Sequence, residues 1–162
     1  MIRKVLPEDA DQICAIYNYH VANTIVTFEE ELVTENERRI RIEDISSKYP
    51  WLVYEEEQVI AGYAYASQWR TRSAYRYAAE ATVYLHEDFK RKGIGTALYV
   101  RLIEEMKTLS FHSLIGGISL PNNASIALHE KLHFKKVAHF EQVGFKLNRW
   151  IDVGYWELLL NS

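Results

Sequence analysis

Apolar and polar positions alternate with a period near two in some segments and near 3.6 in others, and each switch marks an element. Residues 1–5 read as a short strand. Pro7 suits the first turn of a helix, and Glu8, Asp9 and Asp11 suit its positive end. Ile13, Ile16, Tyr17, His20 and Val21 then share one helical face, so this helix is expected to reach about Thr24. Residues 34–49 form a second, more polar helix that stops at Pro50. Residues 51–57 and 58–69 read as a hairpin turning at Glu56-Glu57-Gln58, and 77–86 as a further strand. A helix over 93–109 follows, with Leu98, Leu102, Met106 and Leu109 on one stripe. Residues 112–120 are a strand, and 122–132 a short helix capped by Asn122 or Asn123. Two long strands, 134–147 and 149–160, close the chain. The interleaved order predicts one mixed α/β domain over residues 1–162, a central twisted mixed sheet with helices on both faces.

Composition narrows the function. The chain has 162 residues and a formal charge of -3, so no strong electrostatic footprint for nucleic acid exists. No stretch resembles a signal peptide or approaches membrane-spanning length, so a cytoplasmic protein with no membrane partner is expected. The single cysteine, Cys14, sits on the apolar helical face and reads as a packed thiol. It excludes an internal disulfide and a thiolate zinc cluster, and the histidine spacing gives no metal site.

The most informative stretch is "VYLHEDFKRKGIGTALYVRLIEEM", residues 83–106. Two glycines and a run of cations stand where a helix begins. A helix start presents unpaired N–H groups and a positive dipole end, and glycine removes the Cβ that would keep a large anion away. Gly93 and Gly95 with Lys90, Arg91 and Lys92 therefore fit a pyrophosphate seat. They equally fit an ordinary strand–helix turn with solvated cations. No Walker A pattern is present, and Leu98 stands where a dinucleotide fingerprint needs glycine or alanine. A pyrophosphate without either signature points to coenzyme A.

Three further groups bear on chemistry. Glu80 is the only acid in "YRYAAEATVYL", and a carboxylate on an apolar strand is costly to bury without a partner or a role. It is either a proton acceptor or a strand-end carboxylate facing water or paired to Arg72 or Arg76. His129 lies one turn after Ser125 on a helix, as a packed residue or a reactive one. Arg70 and Arg72 are two apart, so on an extended segment they point the same way and suit a bidentate acid group; otherwise they belong to a solvated loop.

The strand "ATVYL", the turn "KRKGIGTAL", the strand "LIGGISL" and the helix "NNASIALHEKLHF" resemble the acyl-CoA core of the GNAT N-acetyltransferase superfamily. The segments 49–85 and 140–160 are similar to the phosphinothricin and methionine sulfoximine N-acetyltransferases, so the resemblance covers nearly the whole chain. It implies acetyl transfer from acetyl-CoA to a primary amine of an amino-acid-like substrate, by a homodimer. Val83, Tyr84 and Leu85 would pair with the pantetheine arm. Arg91, Lys92, Gly93, Ile94, Gly95 and Thr96 would hold the pyrophosphate, and Asn122 and Ser125 would contact the cofactor near its thiol end. Glu80 would be the base and His129 a second catalytic group. Arg70, Thr71, Arg72, Tyr75 and Phe28 would line the acceptor pocket. A strand distortion near Leu85 would present an amide to the thioester carbonyl. Lys90 and His133 depart from the family pattern, His133 replacing a helix-ending glycine. Acetylation of a different amine and a non-catalytic acyl-CoA-binding module are the rival readings.

Overall fold

The computed structural model describes residues 1–160, so the last two residues of the expected domain lie outside it. The elements are β1 (Ile2–Lys4), α1 (Ala10–Asn23), α2 (Glu35–Ser46), β2 (Trp51–Glu56), β3 (Val59–Gln68), β4 (Ala78–Leu85), α3 (Ile94–Thr108), β5 (Ser113–Leu120), α4 (Asn123–Lys131), β6 (Lys135–Lys146) and β7 (Arg149–Leu159). This is the expected order. The seven strands form one mixed sheet in the order β1-β2-β3-β4-β5-β7-β6.

Local chemistry explains the boundaries. Pro7 opens a 3-10 turn, Pro7–Asp9, and not the α-helix itself. Asp9 accepts from the Leu6 N–H at 2.7 Å and pairs with Arg3 at 2.8 Å, so it ties β1 to the helix entrance. Thr34 caps α2 by accepting from the Glu37 N–H, and α2 ends at Ser46, a turn short of Tyr49. The β2–β3 hairpin turns on Glu57 and Gln58, both left-handed, the twist that two-residue hairpins favour. Asn122 is the cap of α4, accepting from the Ser125 N–H at 3.1 Å. His133 follows α4 with φ 72, a left-handed position that glycine would occupy without strain.

Two apolar layers sandwich the sheet. α1 and α2 cover one face, with Ile13, Ile16 and Ile42 against Trp51, Val53, Ile60 and Tyr63. α3 covers the other, with Leu98, Leu102 and Met106 fully buried against Leu52, Ala64, Ala66 and Ala79. Leu109 does not join that stripe; it follows the helix and is 54% exposed. The alternation of Trp51 and Val53 against Leu52 sends neighbouring residues of one strand to opposite layers.

The sheet is splayed at its centre. β4 pairs with β3 from Ala79–Gln68 to Leu85–Gly62 with no register shift. β5 pairs with β7 from Ser113–Leu159 to Leu120–Asp152. Between them β4 and β5 run parallel for only three pairs, Ala78–Ser113 to Glu80–Ile115. Beyond Glu80 the two strands part and leave a wedge. The distortion expected within β4 near Leu85 is therefore absent; the irregularity is the separation of β4 from β5.

Candidate active site

The wedge exposes main chain. The His86 N–H bonds to Ala61 O at 2.8 Å across the β3 side. Backbone groups alternate along a strand, so those of Ala81, Val83 and Leu85 face the other way, into the gap. Unpaired strand-edge groups need partners. One is met internally: His20 Nε2 lies 3.0 Å from Leu85 O and donates to it, which fixes the tautomer of the buried His20. A cavity of about 990 Å³ runs through the gap. Its walls include Lys90 and Arg91 beside the start of α3, and residues 25–28, Phe140 and Val143 beside β6.

At the Arg91 end stands the start of α3. Gly93 is its N-cap with φ 77 and no side chain caps the helix, so its first N–H groups have no side-chain acceptor. The left-handed φ of Gly93 favours glycine, and space does not, since a Cβ there would meet nothing within 4 Å. At Gly95 a Cβ would touch Leu128 and Leu85 at 3.6 and 3.7 Å, an ordinary contact, so the protein's own packing does not demand glycine at that position. Lys90 pairs with Glu87 at 2.6 Å and Lys92 lies over the Phe89 ring, which leaves Arg91 as the cation on the cavity wall with no ion pair among the described residues. These features fit a pyrophosphate.

Glu80 marks the vertex of the wedge and lines the cavity. It is half-buried and has no hydrogen bond or ion pair among the described residues. Neither Arg72 nor Arg76 holds it: Arg76 donates to Ser73 O and lies over Tyr77. Burial pushes the Glu80 carboxyl above its usual range, and the nearby Arg70 guanidinium partly opposes this.

His129 is also on the wall, 2% exposed. Its Nδ1 donates to Ser125 O at 2.7 Å, so Nε2 accepts from the Tyr99 hydroxyl at 3.3 Å. Tyr99 and Phe134 pack edge-on against the ring, and burial lowers its pKa, which keeps the imidazole neutral. Gly116 makes room for it, since a Cβ there would fall 2.4 Å from Nε2. Both ring nitrogens thus already have protein partners.

Of the expected site residues, Phe28, Glu80, Val83, Tyr84 and Leu85 line the cavity, as do Arg91, Asn122, Ser125 and His129. Lys92, Gly93, Ile94, Gly95 and Thr96 form the loop and helix start behind Arg91. Arg70, Thr71, Arg72 and Tyr75 are exposed and outside its walls. Arg70 lies over Trp69, 4.5 Å from the ring centroid, and a 3-10 turn, Ser73–Tyr75, interrupts the extended geometry expected there. His20, Thr27, Phe140, Val143 and Tyr155 are wall residues that carry no sequence signal. Phe140 borders, and Val143 lies within, a register shift of β6 between Phe140 and Gly144, a bulge that no periodicity announces.

A split parallel strand pair with a bare helix start beside it and a half-buried carboxylate at its vertex fits an acyl-CoA-dependent transferase. Residues 2–154 match the acetyltransferase (GNAT) domain family, and the chain belongs to it. The chain is 37% identical over 156 residues to phosphinothricin N-acetyltransferase of Streptomyces viridochromogenes, covering 96% of this chain and 85% of that protein. It is 37% identical over 155 residues to the L-methionine sulfoximine/L-methionine sulfone acetyltransferase of Salmonella typhimurium, covering 95% and 91%. A phosphinothricin acetyltransferase from Sinorhizobium meliloti, solved with acetyl-CoA, superposes with TM-score 0.96 at 35% identity over 99% of this chain and 88% of that one. Among the described residues no group of three or more His, Cys, Asp or Glu could hold a metal, and no helix is long and apolar enough to cross a membrane.

Proposed function

We propose that this protein is an acetyl-CoA-dependent N-acetyltransferase whose acceptor is the amino group of a small amino-acid-like substrate, such as L-phosphinothricin or L-methionine sulfoximine or sulfone. The observation that carries the reading is Glu80: a half-buried, unpaired carboxylate with a raised pKa at the vertex of the β4–β5 wedge. An alkylammonium cannot attack a thioester until it loses a proton, and a base poised near neutrality does this best. Acetyl-CoA supplies the acetyl group and a thiol leaving group. Arg91 and the free N–H groups at the start of α3 hold its pyrophosphate. The edge groups of Val83, the Ala81 C=O and the Leu85 N–H pair with its amide-bearing arm. Glu80 accepts the ammonium proton of the acceptor, and Arg70, outside the cavity walls but near enough to act on Glu80, attracts its acid group. His129, with both nitrogens engaged, keeps the Tyr99 hydroxyl directed at itself.

The acceptor end of the cavity favours one part of that substrate range. Val26, Phe28, Phe140 and Val143 make it apolar, which suits a neutral methionine-type side chain better than an acidic one. The chain is further read as a homodimer, because β6 is an edge strand whose Val137, Phe140 and Phe145 are at least half exposed. Sedimentation equilibrium tests that.

The function is tested by incubating purified protein with acetyl-CoA and each amine and following free thiol. Amine-dependent release is the expected result. Tight acetyl-CoA binding with no release across a broad amine panel would instead identify a non-catalytic acyl-CoA-binding module.

A further inference from the structure

The acceptor-side wall is not part of the sheet. Residues 24–34 connect α1 to α2 without helix or strand, yet Ile25, Val26, Thr27 and Phe28 form one side of the cavity. A loop holds a substrate surface only if something fixes it.

Lys146, the last residue of β6, supplies that fixture. It is 3% exposed. Its Nζ donates to Thr27 O at 2.7 Å and to His20 O at 3.4 Å. His20 lies in the last turn of α1, whose negative dipole end favours a cation. Both partners are main-chain carbonyls, so the ammonium links the end of α1, the wall and strand β6. A buried charge is costly unless its donors are satisfied, and here the geometry that satisfies them exists only with the wall docked. A second contact lies two residues earlier. The Phe28 ring packs on Gly144 so closely that a Cβ there would fall 2.4 Å from it. Strand β6 therefore holds the wall at two points, one polar and one apolar.

We propose that Lys146 is a positioning residue that clamps the Thr27–Phe28 wall onto β6 and so sets the shape of the acceptor end of the site, with Gly144 as the seat that lets Phe28 close down. The proposal rests on the acceptor reading above. Lys146 makes no contact with Arg91 or Gly93 at the coenzyme end among the described residues.

The test compares wild type with Lys146→Met and, in case that variant does not fold, Gly144→Ala. Two readouts are taken. Steady-state kinetics with L-methionine sulfone and acetyl-CoA should show the acceptor KM raised about tenfold or more in either variant, with the acetyl-CoA KM within about twofold of wild type. Amide hydrogen exchange across residues 24–30 should accelerate while the β3–β4 ladder keeps its protection. Gly144→Ala combined with Phe28→Leu should be no worse than Phe28→Leu alone, because the clash is removed. Equal rises in both KM values, or unchanged exchange in residues 24–30, would overturn the clamp. Exchange is read without turnover, so the clamp is tested even if wild type acetylates none of the amines, an outcome that would count against the acetyltransferase reading alone.

Discussion

Behind Arg91 the cleft meets the uncapped main chain of a helix start, whereas around Phe28 and Phe140 it is lined by residues of a loop and an edge strand. The coenzyme end uses a helix start, a left-handed glycine and a strand edge freed by the parting of β4 from β5. Each is a backbone device that recognises phosphate or amide, groups common to every acyl-CoA. The acceptor end uses Val26, Phe28, Phe140 and Val143, held down by Lys146 and seated on Gly144. Its shape follows from the side chains of two segments that meet only in the folded chain. On the proposed reading, one end fixes the reaction type and the other selects the amine.

The sharpest way to separate the ends is at their junction. Glu80→Gln should lower kcat by about 10²- to 10⁴-fold, the usual contribution of a general base, while calorimetric acetyl-CoA binding stays within about twofold of wild type. Near-full activity would remove Glu80 from its role. At the coenzyme end, Gly93→Val forces a β-branched residue into φ 77. A cost of about 1–2 kcal/mol for that conformation should weaken acetyl-CoA binding about 5- to 30-fold, with the acceptor KM little changed. At the acceptor end, Arg70→Ala with Arg72→Ala should raise the acceptor KM several-fold at nearly constant kcat, since exposed cations contribute modestly. Unchanged kinetics would favour a different amine.

The smallest effect is on stability. The fold raises the Glu80 carboxyl pKa by burial, so it favours the protonated form. Glu80 therefore destabilises the native state increasingly as pH rises above its unfolded-state pKa, and the loss levels off above the folded-state value. Glu80→Gln should melt slightly higher than wild type at neutral pH, with the difference vanishing in acid. Calorimetric melts at the two pH values check it.

How far the sequence discloses this molecule follows the same division. Element order was legible because Leu98, Leu102 and Met106, or Trp51 and Val53, repeat at the spacing their layers require. The coenzyme end was legible because glycine and cation signals are local. The wedge was not, since nothing in "AEATVYL" says that pairing with β5 stops at Glu80. Lys146 closes the stretch "QVGFK" and Arg38 sits in "ENERRIRIED", where each reads as a solvated charge. Burial of both is a tertiary fact: Lys146 finds carbonyls from α1 and its loop, and Arg38 stacks on Tyr17, 4.3 Å from the ring centroid. The segment 70–72 reads as extended and is a bend, because Ser73–Tyr75 turns the chain back towards β4.

The central claim is that Glu80, raised in pKa by burial and restrained by Arg70, takes the proton from the amine. The pH dependence of kcat/KM in wild type, Arg70→Ala and Glu80→Gln tests it most directly. The account predicts an acid limb above the ordinary carboxylate range in wild type, shifted to still higher pH when Arg70 is removed, and missing from the residual activity of Glu80→Gln. The same limb persisting unmoved in Glu80→Gln would contradict it.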